Sequence, residues 1–268
     1  MKSAGLAAIR PTGAGAAART PTSGAESSRK VLRLLLSFSV DRPIAPVEQL
    51  AEEIGVPLST AYRYVTLLRE VGLLENAAGG VRISPLAIGL ARAAVAANSI
   101  VEIARPVLER MRDHSGESAL LVRRFGDTAV CIDHAPSSQA VRLSFQPGQP
   151  LALHSGASAK LLLASLRDAD RDDYLRRLPA LLPDPDRRRA LLAELPVIGR
   201  RGWAVSEGEV DAGIWAAAAP VSNGRDVVAA VSIAALAYRT PKSSRPNLIE
   251  LVRAGAAEIS SRLSPLYE

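Results

Sequence analysis

Three short amphipathic segments follow one another between residues 28 and 72, and their spacing constrains the fold more than any other feature of the chain. Val31, Leu34, Leu35 and Phe38 recur at the i, i+3, i+4, i+7 spacing of one helical face, with Ser27 and Ser28 as capping candidates. Pro43 and Pro46 close the loop that follows. Val47, Leu50, Ala51 and Ile54 repeat the pattern until Gly55 stops it, and Ala61, Tyr64, Val65 and Leu68 repeat it a third time between Pro57 and Gly72. Only Gly55-Val56-Pro57 separates the second helix from the third, the length of a helix-turn-helix corner. With the third apolar stripe turned to a core, Ser59, Tyr62, Arg63 and Thr66 share the outward face, and Thr60 stands beside them. Hydroxyls, a phenol and a guanidinium, with no acid among them, suit base edges and phosphates in a major groove. A solvated helix in an α-helical bundle explains the same pattern until the next residues are read.

Those residues are two β-prone runs, 73–75 and 81–83, around the turn Asn76-Ala77-Ala78-Gly79-Gly80. A hairpin after a helix-turn-helix is a wing, and Arg82 on it is placed to contact the sugar-phosphate backbone. Ser84-Pro85 then opens a linker helix over residues 85–98, with Leu86 and Leu90 on it. Residues 1–27 are rich in Ala, Gly, Ser and Thr, with three cations and no apolar periodicity; they read as a disordered basic arm, either a weak tether to DNA phosphates or an untrimmed tail.

The domain boundary is expected between Asn98 and Ser99, so that residues 28–84 form the DNA-binding domain and 99–268 a second one. A further amphipathic helix covers about 100–112. Strand patterns then occupy 118–123, 128–133, 141–145, 214–221 and 227–236, the last two joined by the turn Ser222-Asn223-Gly224-Arg225. Helical patterns cover about 156–165, 170–177, 184–199 and 244–263. Strands broken by helices predict an α+β domain built on one antiparallel sheet.

The run Pro46-Val-Glu-Gln-Leu-Ala-Glu-Glu-Ile-Gly-Val-Pro-Leu-Ser-Thr-Ala-Tyr-Arg-Tyr-Val-Thr-Leu-Leu-Arg-Glu-Val-Gly72 resembles the winged helix of the isocitrate lyase regulator (IclR) family. Two later segments resemble that family's effector domain in the same order and spacing. One runs from Pro147 to Ala164; the other is Gly202-Trp-Ala-Val-Ser-Glu-Gly-Glu-Val-Asp-Ala-Gly213, followed by Ala219-Pro220-Val221. The resemblance covers residues 28 to 264. It implies a winged helix-turn-helix joined by a linker helix to a GAF-like domain with an antiparallel sheet, which binds a small organic or aromatic acid. It also implies a homodimer or homotetramer on a double-stranded DNA operator, most simply as a repressor.

Alignment of those segments carries the family's ligand positions onto Leu143, Leu151, Ala157, Ser158, Ser206, Ile214, Ala216, Ser232 and Ala234. The chain departs from the family pattern at Ser158-Ala159-Lys160, where a second Gly often precedes the Lys, and at Ser206, where an acid is common. Ala216 and Ala234 replace polar groups found in relatives that bind small keto acids. The expected effector therefore has an apolar body, oriented by Ser158, Ser206, Ser232 and the amides at a helix start near Ala157.

Composition narrows the classes of function. The chain of 268 residues carries 33 Lys+Arg against 27 Asp+Glu, a net charge of +6 that supports an anionic partner weakly. A single Cys, Cys131, excludes an internal disulfide framework or a cysteine-rich zinc site. No stretch reaches the roughly 20 apolar residues of a membrane helix, and no apolar signal segment is evident, so a cytoplasmic protein is expected. The competing class is an enzyme using the second domain, with His154-Ser155, Asp133-His134 and Cys131 as its raw material; no nucleophile elbow or metal spacing frames them, and neither catalysis nor a cofactor nor a metal is expected.

Overall fold

A computed structural model describes residues 23–39, 42–96, 99–137 and 147–266. The chain falls into two compact units, the second beginning at Ser99.

The first unit opens with α1 (Ser23–Leu35), β1 (Ile44–Ala45), α2 (Val47–Ile54) and α3 (Leu58–Glu70). Each apolar stripe read from the sequence supplies this unit's core. Leu34, Leu50, Ala51, Ile54, Ala61, Tyr64, Val65 and Leu68 are all buried there, with Val31, Leu35 and Phe38 packed at its margin. Gly55 ends α2 in the left-handed conformation, and α3 begins three residues later. The hairpin follows as β2 (Leu74–Ala77) and β3 (Gly80–Ile83), and then α4 (Leu86–Ala96), whose Leu86 amide donates to Ser84 Oγ.

Two expectations need correction here. Helix α1 starts inside the segment read as a disordered arm, at Ser23, so Ser27 and Ser28 lie within the helix instead of capping it. A polar first turn, with Glu26 paired to Arg29 one turn later, carries no apolar signal to be read. The remainder of that arm lies outside the described residues. The second correction concerns the loop between Pro43 and Pro46, which contains β1. Ile44 and Ala45 pair antiparallel with Arg82 and Val81, making the wing a three-stranded sheet in the order β1-β3-β2. Two residues are too few to show a period of two. This third strand explains Gly80: a Cβ there would collide with the backbone of Ala45 and Pro46, so only glycine lets β1 lie against the wing.

The second unit comprises α5 (Ser99–Ser115), β4 (Ser118–Phe125), β5 (Thr128–Ala135), β6 (Pro150–Ala152), α6 (Ala157–Ala164), α7 (Asp168–Leu181), α8 (Pro185–Arg201), β7 (Ala204–Glu207), β8 (Ile214–Ser222), β9 (Val227–Leu236) and α9 (Arg245–Leu263). All neighbouring strands pair antiparallel, in one six-stranded sheet of order β6-β5-β4-β9-β8-β7. The turn joining β8 to β9 is held by Asn223 Oδ1, which accepts from the amides of Arg225 and Asp226. β6 and β7 are too short for sequence periodicity to reveal. The expected strand at 141–145 lies outside the described residues.

Side-chain alternation divides this sheet between two cores. Ala119 and Leu121 of β4, Trp215, Ala217 and Ala219 of β8, and Ala229, Val231 and Ile233 of β9 pack with α5 and α9. Leu120 and Val122, Ala216 and Ala218, and Ala230 and Ala234 face the opposite way, toward α6, α7 and α8. Asp184 caps α8 by accepting from the amides of Asp186 and Arg187, so the charged run 184–189 is a solvated helix start. Among the described residues, no single helix is long and apolar enough to cross a membrane.

Candidate DNA-binding and ligand-binding sites

The outward face of α3 follows directly from burial of its apolar stripe. Ser59, Tyr62, Arg63 and Thr66 are exposed and Thr60 is half-buried. Arg63 forms no ion pair among the described residues. Tyr62 is held from the neighbouring helix: its hydroxyl donates to Glu48 Oε1 at 3.0 Å, a bond that raises the phenol's pKa above its ordinary value. Sequence reading missed Glu48, because an exposed acid on α2 looks like any solvated charge. Arg82 sits opposite Glu75 on the hairpin, and its Nε donates to Glu75 Oε1 at 2.6 Å. The wing cation is therefore paired in the free protein, through an exposed ion pair worth ~0–1 kcal/mol that an incoming phosphate can outbid. An open groove of about 390 Å³ between α3 and β2 is lined by Thr66, Arg69, Glu70, Leu74, Glu75 and Asn76, a mixed set of charges with no built ligand site among the described residues.

In the second unit a small cavity lies on the α6 side of the sheet. Its wall from the strands consists of Leu120, Leu151, Ile214, Ala216, Ser232 and Ala234; the other side is Gly156, Ala157 and Ser158 at the start of α6, with Ser206 and residues 209–211. Eight of the nine positions carried over from the sequence line this one cavity, and Leu143 lies outside the described residues. The cavity volume left by the described residues is about 60 Å³.

The polar groups are arranged differently from expectation. Two amides at the start of α6 that were to meet a ligand's polar head already have acceptors. The Ala157 N–H donates to Ser206 Oγ at 3.0 Å and the Gly156 N–H to Glu209 Oε2 at 2.9 Å. Glu209 Oε1 accepts from Lys160 Nζ at 2.6 Å, and Lys160 donates also to Glu194 Oε2 at 2.7 Å. Lys160 is only 3% exposed, and a lysine so buried requires such partners. Glu209 was missed, although the quoted segment contains it; in sequence its charge looks solvated, and only the folded chain brings it to Lys160.

Among the described residues, the groups offered as an enzyme's raw material pair with other partners: the Cys131 thiol donates to the Asp133 carbonyl at 3.3 Å, and the His134 amide donates to Asp133 Oδ1 at 2.9 Å. Cys131 is fully buried and burial pushes its thiol up to about 12, far from a thiolate nucleophile. His154 Nδ1 lies 2.8 Å from the Tyr174 hydroxyl and not in the cavity lining, and burial holds its pKa below the ordinary value. Ser155 Oγ donates to the Glu209 carbonyl at 3.0 Å. Asp133 is paired with Arg105.

Comparison with known proteins matches residues 92–261 to the C-terminal region of the bacterial transcriptional regulator IclR and residues 27–78 to the IclR helix-turn-helix domain. The chain belongs to the IclR family. Among relatives of this family, KipR of Bacillus subtilis, an HTH-type transcriptional regulator, is 27% identical over 237 residues, covering 85% of this chain and 94% of that protein. The HTH-type transcriptional repressor AllR of Salmonella typhimurium is 26% identical over 258 residues, 93% of this chain and 94% of that one. Of solved structures, an IclR transcriptional regulator from Silicibacter sp. superposes with a TM-score of 0.75 at 27% identity, covering 89% of this chain and 96% of that chain. An IclR homologue from Microbacterium hydrocarbonoxydans, complexed with 4-hydroxybenzoate, gives 0.72 at 25% identity over 89% of this chain and 99% of that chain. The α+β architecture, a winged helix-turn-helix followed by a GAF-like domain with an antiparallel sheet, is thus that of IclR structures, and the protein is a DNA-binding transcriptional regulator.

Proposed function

We propose that this IclR-family regulator is a repressor whose hold on an operator is set by a small carboxylic acid, most simply an aromatic one, bound in the cavity beside α6. The carrying observation is that eight positions chosen from the sequence line a single, largely apolar cavity, with Ser158 and Ser206 on one side and Ser232 on the strand wall. The repressor AllR and the 4-hydroxybenzoate complex of a family member support the reading. In this reading residues 28–84 bind DNA, with Ser59, Thr60, Tyr62, Arg63 and Thr66 of α3 toward the bases and Arg82 toward the backbone. Residues 85–98 link to an effector domain formed by 99–268. A ligand acts only through its different affinity for two conformations of the protein. Footprinting the DNA upstream of the protein's own gene, with and without 4-hydroxybenzoate, tests this: protection that the acid changes is expected, and absence of any protected site would overturn the regulator's proposed mode of action.

The regulator acts as a homodimer at least, because one winged helix offers a small contact patch while two half-sites supply the affinity. Leu86 and Leu90 of α4, one turn apart on one helix face, are each more than half exposed, an apolar pair that dimerisation would cover. The substitutions Leu86→Glu and Leu90→Glu together are expected to shift the protein to monomer in light scattering and to cost operator binding. A parent protein that is monomeric while binding its operator tightly would remove the basis for this assembly.

A further inference from the structure

The loop between β7 and β8 closes the cavity from one side. Residues 208–213 form its hairpin connection, with the Gly208 N–H donating to the Ile214 carbonyl at 2.9 Å, and Val210 contributes to the cavity lining. Glu209 ties this loop to the start of α6 three times: through Oε1 to Lys160, through Oε2 to the Gly156 amide, and through its carbonyl to Ser155 Oγ. Lys160 comes from α6 and is held on its other side by Glu194 of α8. A buried ammonium needs a carboxylate, since an unpaired buried charge is costly. Lys160 has two.

That second carboxylate distinguishes a clasp that can open from one that cannot. If Glu209 leaves, Lys160 keeps Glu194, whose other oxygen lies 3.7 Å from Arg201, so the buried ammonium still has a carboxylate against it. The Glu209 side chain is 26% exposed, so it stands at the rim and reaches water by a short swing. The Gly156 N–H it vacates is then free for an acceptor on an incoming molecule. About 60 Å³ is well below the ~150 Å³ of a cavity that holds benzene, so a ligand of that size needs more room than the described residues leave in this conformation.

We propose that Glu209 is a releasable latch on the ligand cavity: bound to Lys160 and to the Gly156 amide it keeps the 208–213 loop shut, and Glu194 lets it go without leaving Lys160 unpaired. The inference rests on reading this cavity as the ligand site. Hydrogen exchange on the full chain tests the latch without any ligand. Glu209→Gln removes the charge at nearly constant shape and should speed exchange across 208–213 by about tenfold, with β8 and α6 unchanged. Glu194→Gln leaves Glu209 as the only carboxylate on Lys160, and exchange in the loop should be as slow as in the parent or slower. Parental exchange in Glu209→Gln, or a loop loosened by Glu194→Gln, would overturn the proposal, the latter by marking the cluster as a structural ion network. Rapid mixing with 4-hydroxybenzoate gives the second readout: association should be faster in Glu209→Gln, and an unchanged rate overturns the gating role. If the parent does not bind 4-hydroxybenzoate, the aromatic-acid reading fails while the exchange data still decide the latch.

Discussion

Ala216→Phe should abolish the response to ligand while leaving operator binding by the unliganded protein within about twofold of the parent. Ala216 stands on β8 and faces the cavity, and a phenyl ring exceeds the space there. The side chain that fills the cavity then excludes whatever else would occupy it, and ligand affinity should fall by about 100-fold or more, ~2.7 kcal/mol. Overpacking costs stability too, typically 1–3 kcal/mol, so the thermal transition is measured alongside. Ala157→Phe approaches the same cavity from the start of α6 and provides an independent variant should the first fold poorly. Calorimetric titration of 4-hydroxybenzoate, paired with a DNA-release assay, reads both quantities. Folded variants that bind and respond like the parent would place the effector site elsewhere and overturn the carried-over residues.

Arg63→Ala is expected to weaken operator binding by about 1 to 3 kcal/mol and to relax discrimination at one base step, the cost of losing a bidentate contact to a guanine edge. Arg63 is exposed on α3 between Tyr62, which Glu48 holds in place, and Thr66 one turn on. Its guanidinium has no carboxylate to leave before it meets DNA, among the described residues. Arg82 provides the contrast. It must first exchange Glu75 for a phosphate, and Arg82→Ala should weaken all sequences alike, lowering the salt slope by about one unit. Mobility shifts at several salt concentrations on operator and scrambled duplexes separate the two effects. Normal operator affinity in Arg63→Ala would remove it from the recognition surface.

What the sequence made legible follows from which signals repeat. The helix-turn-helix was readable because twelve apolar positions kept one helical period, eleven within the three helices and Phe38 just past the end of α1, and each landed in or at the margin of one core. β1 was not readable: Ile44 and Ala45 form a strand only because Gly80 lets them approach the wing. β6 and β7 share that brevity. The cavity wall was recognised through family resemblance, since an alanine such as Ala216 or Ala234 says nothing by itself about a ligand. The ion cluster was invisible for the opposite reason. Lys160, Glu194 and Glu209 are separated by 34 and 49 residues from the lysine outward, and each reads alone as an ordinary surface charge.

The alternation of the central strands has a consequence for how such a regulator acquires new specificities. In β8 and β9 the even-numbered residues, Ile214, Ala216, Ser232 and Ala234, border the cavity, while the odd-numbered Trp215, Ala217, Val231 and Ile233 belong to the core under α5 and α9. With this cavity read as the ligand site, ligand contacts and the packing under α5 and α9 therefore fall on alternate residues of the same strands. Randomising the four even positions should sample cavities of new shape and polarity while the odd positions, and the core under α5 and α9 that they support, are inherited intact; a library built on that rule is expected to keep a larger folded fraction, read by soluble expression and thermal transitions, than one that scrambles contiguous residues.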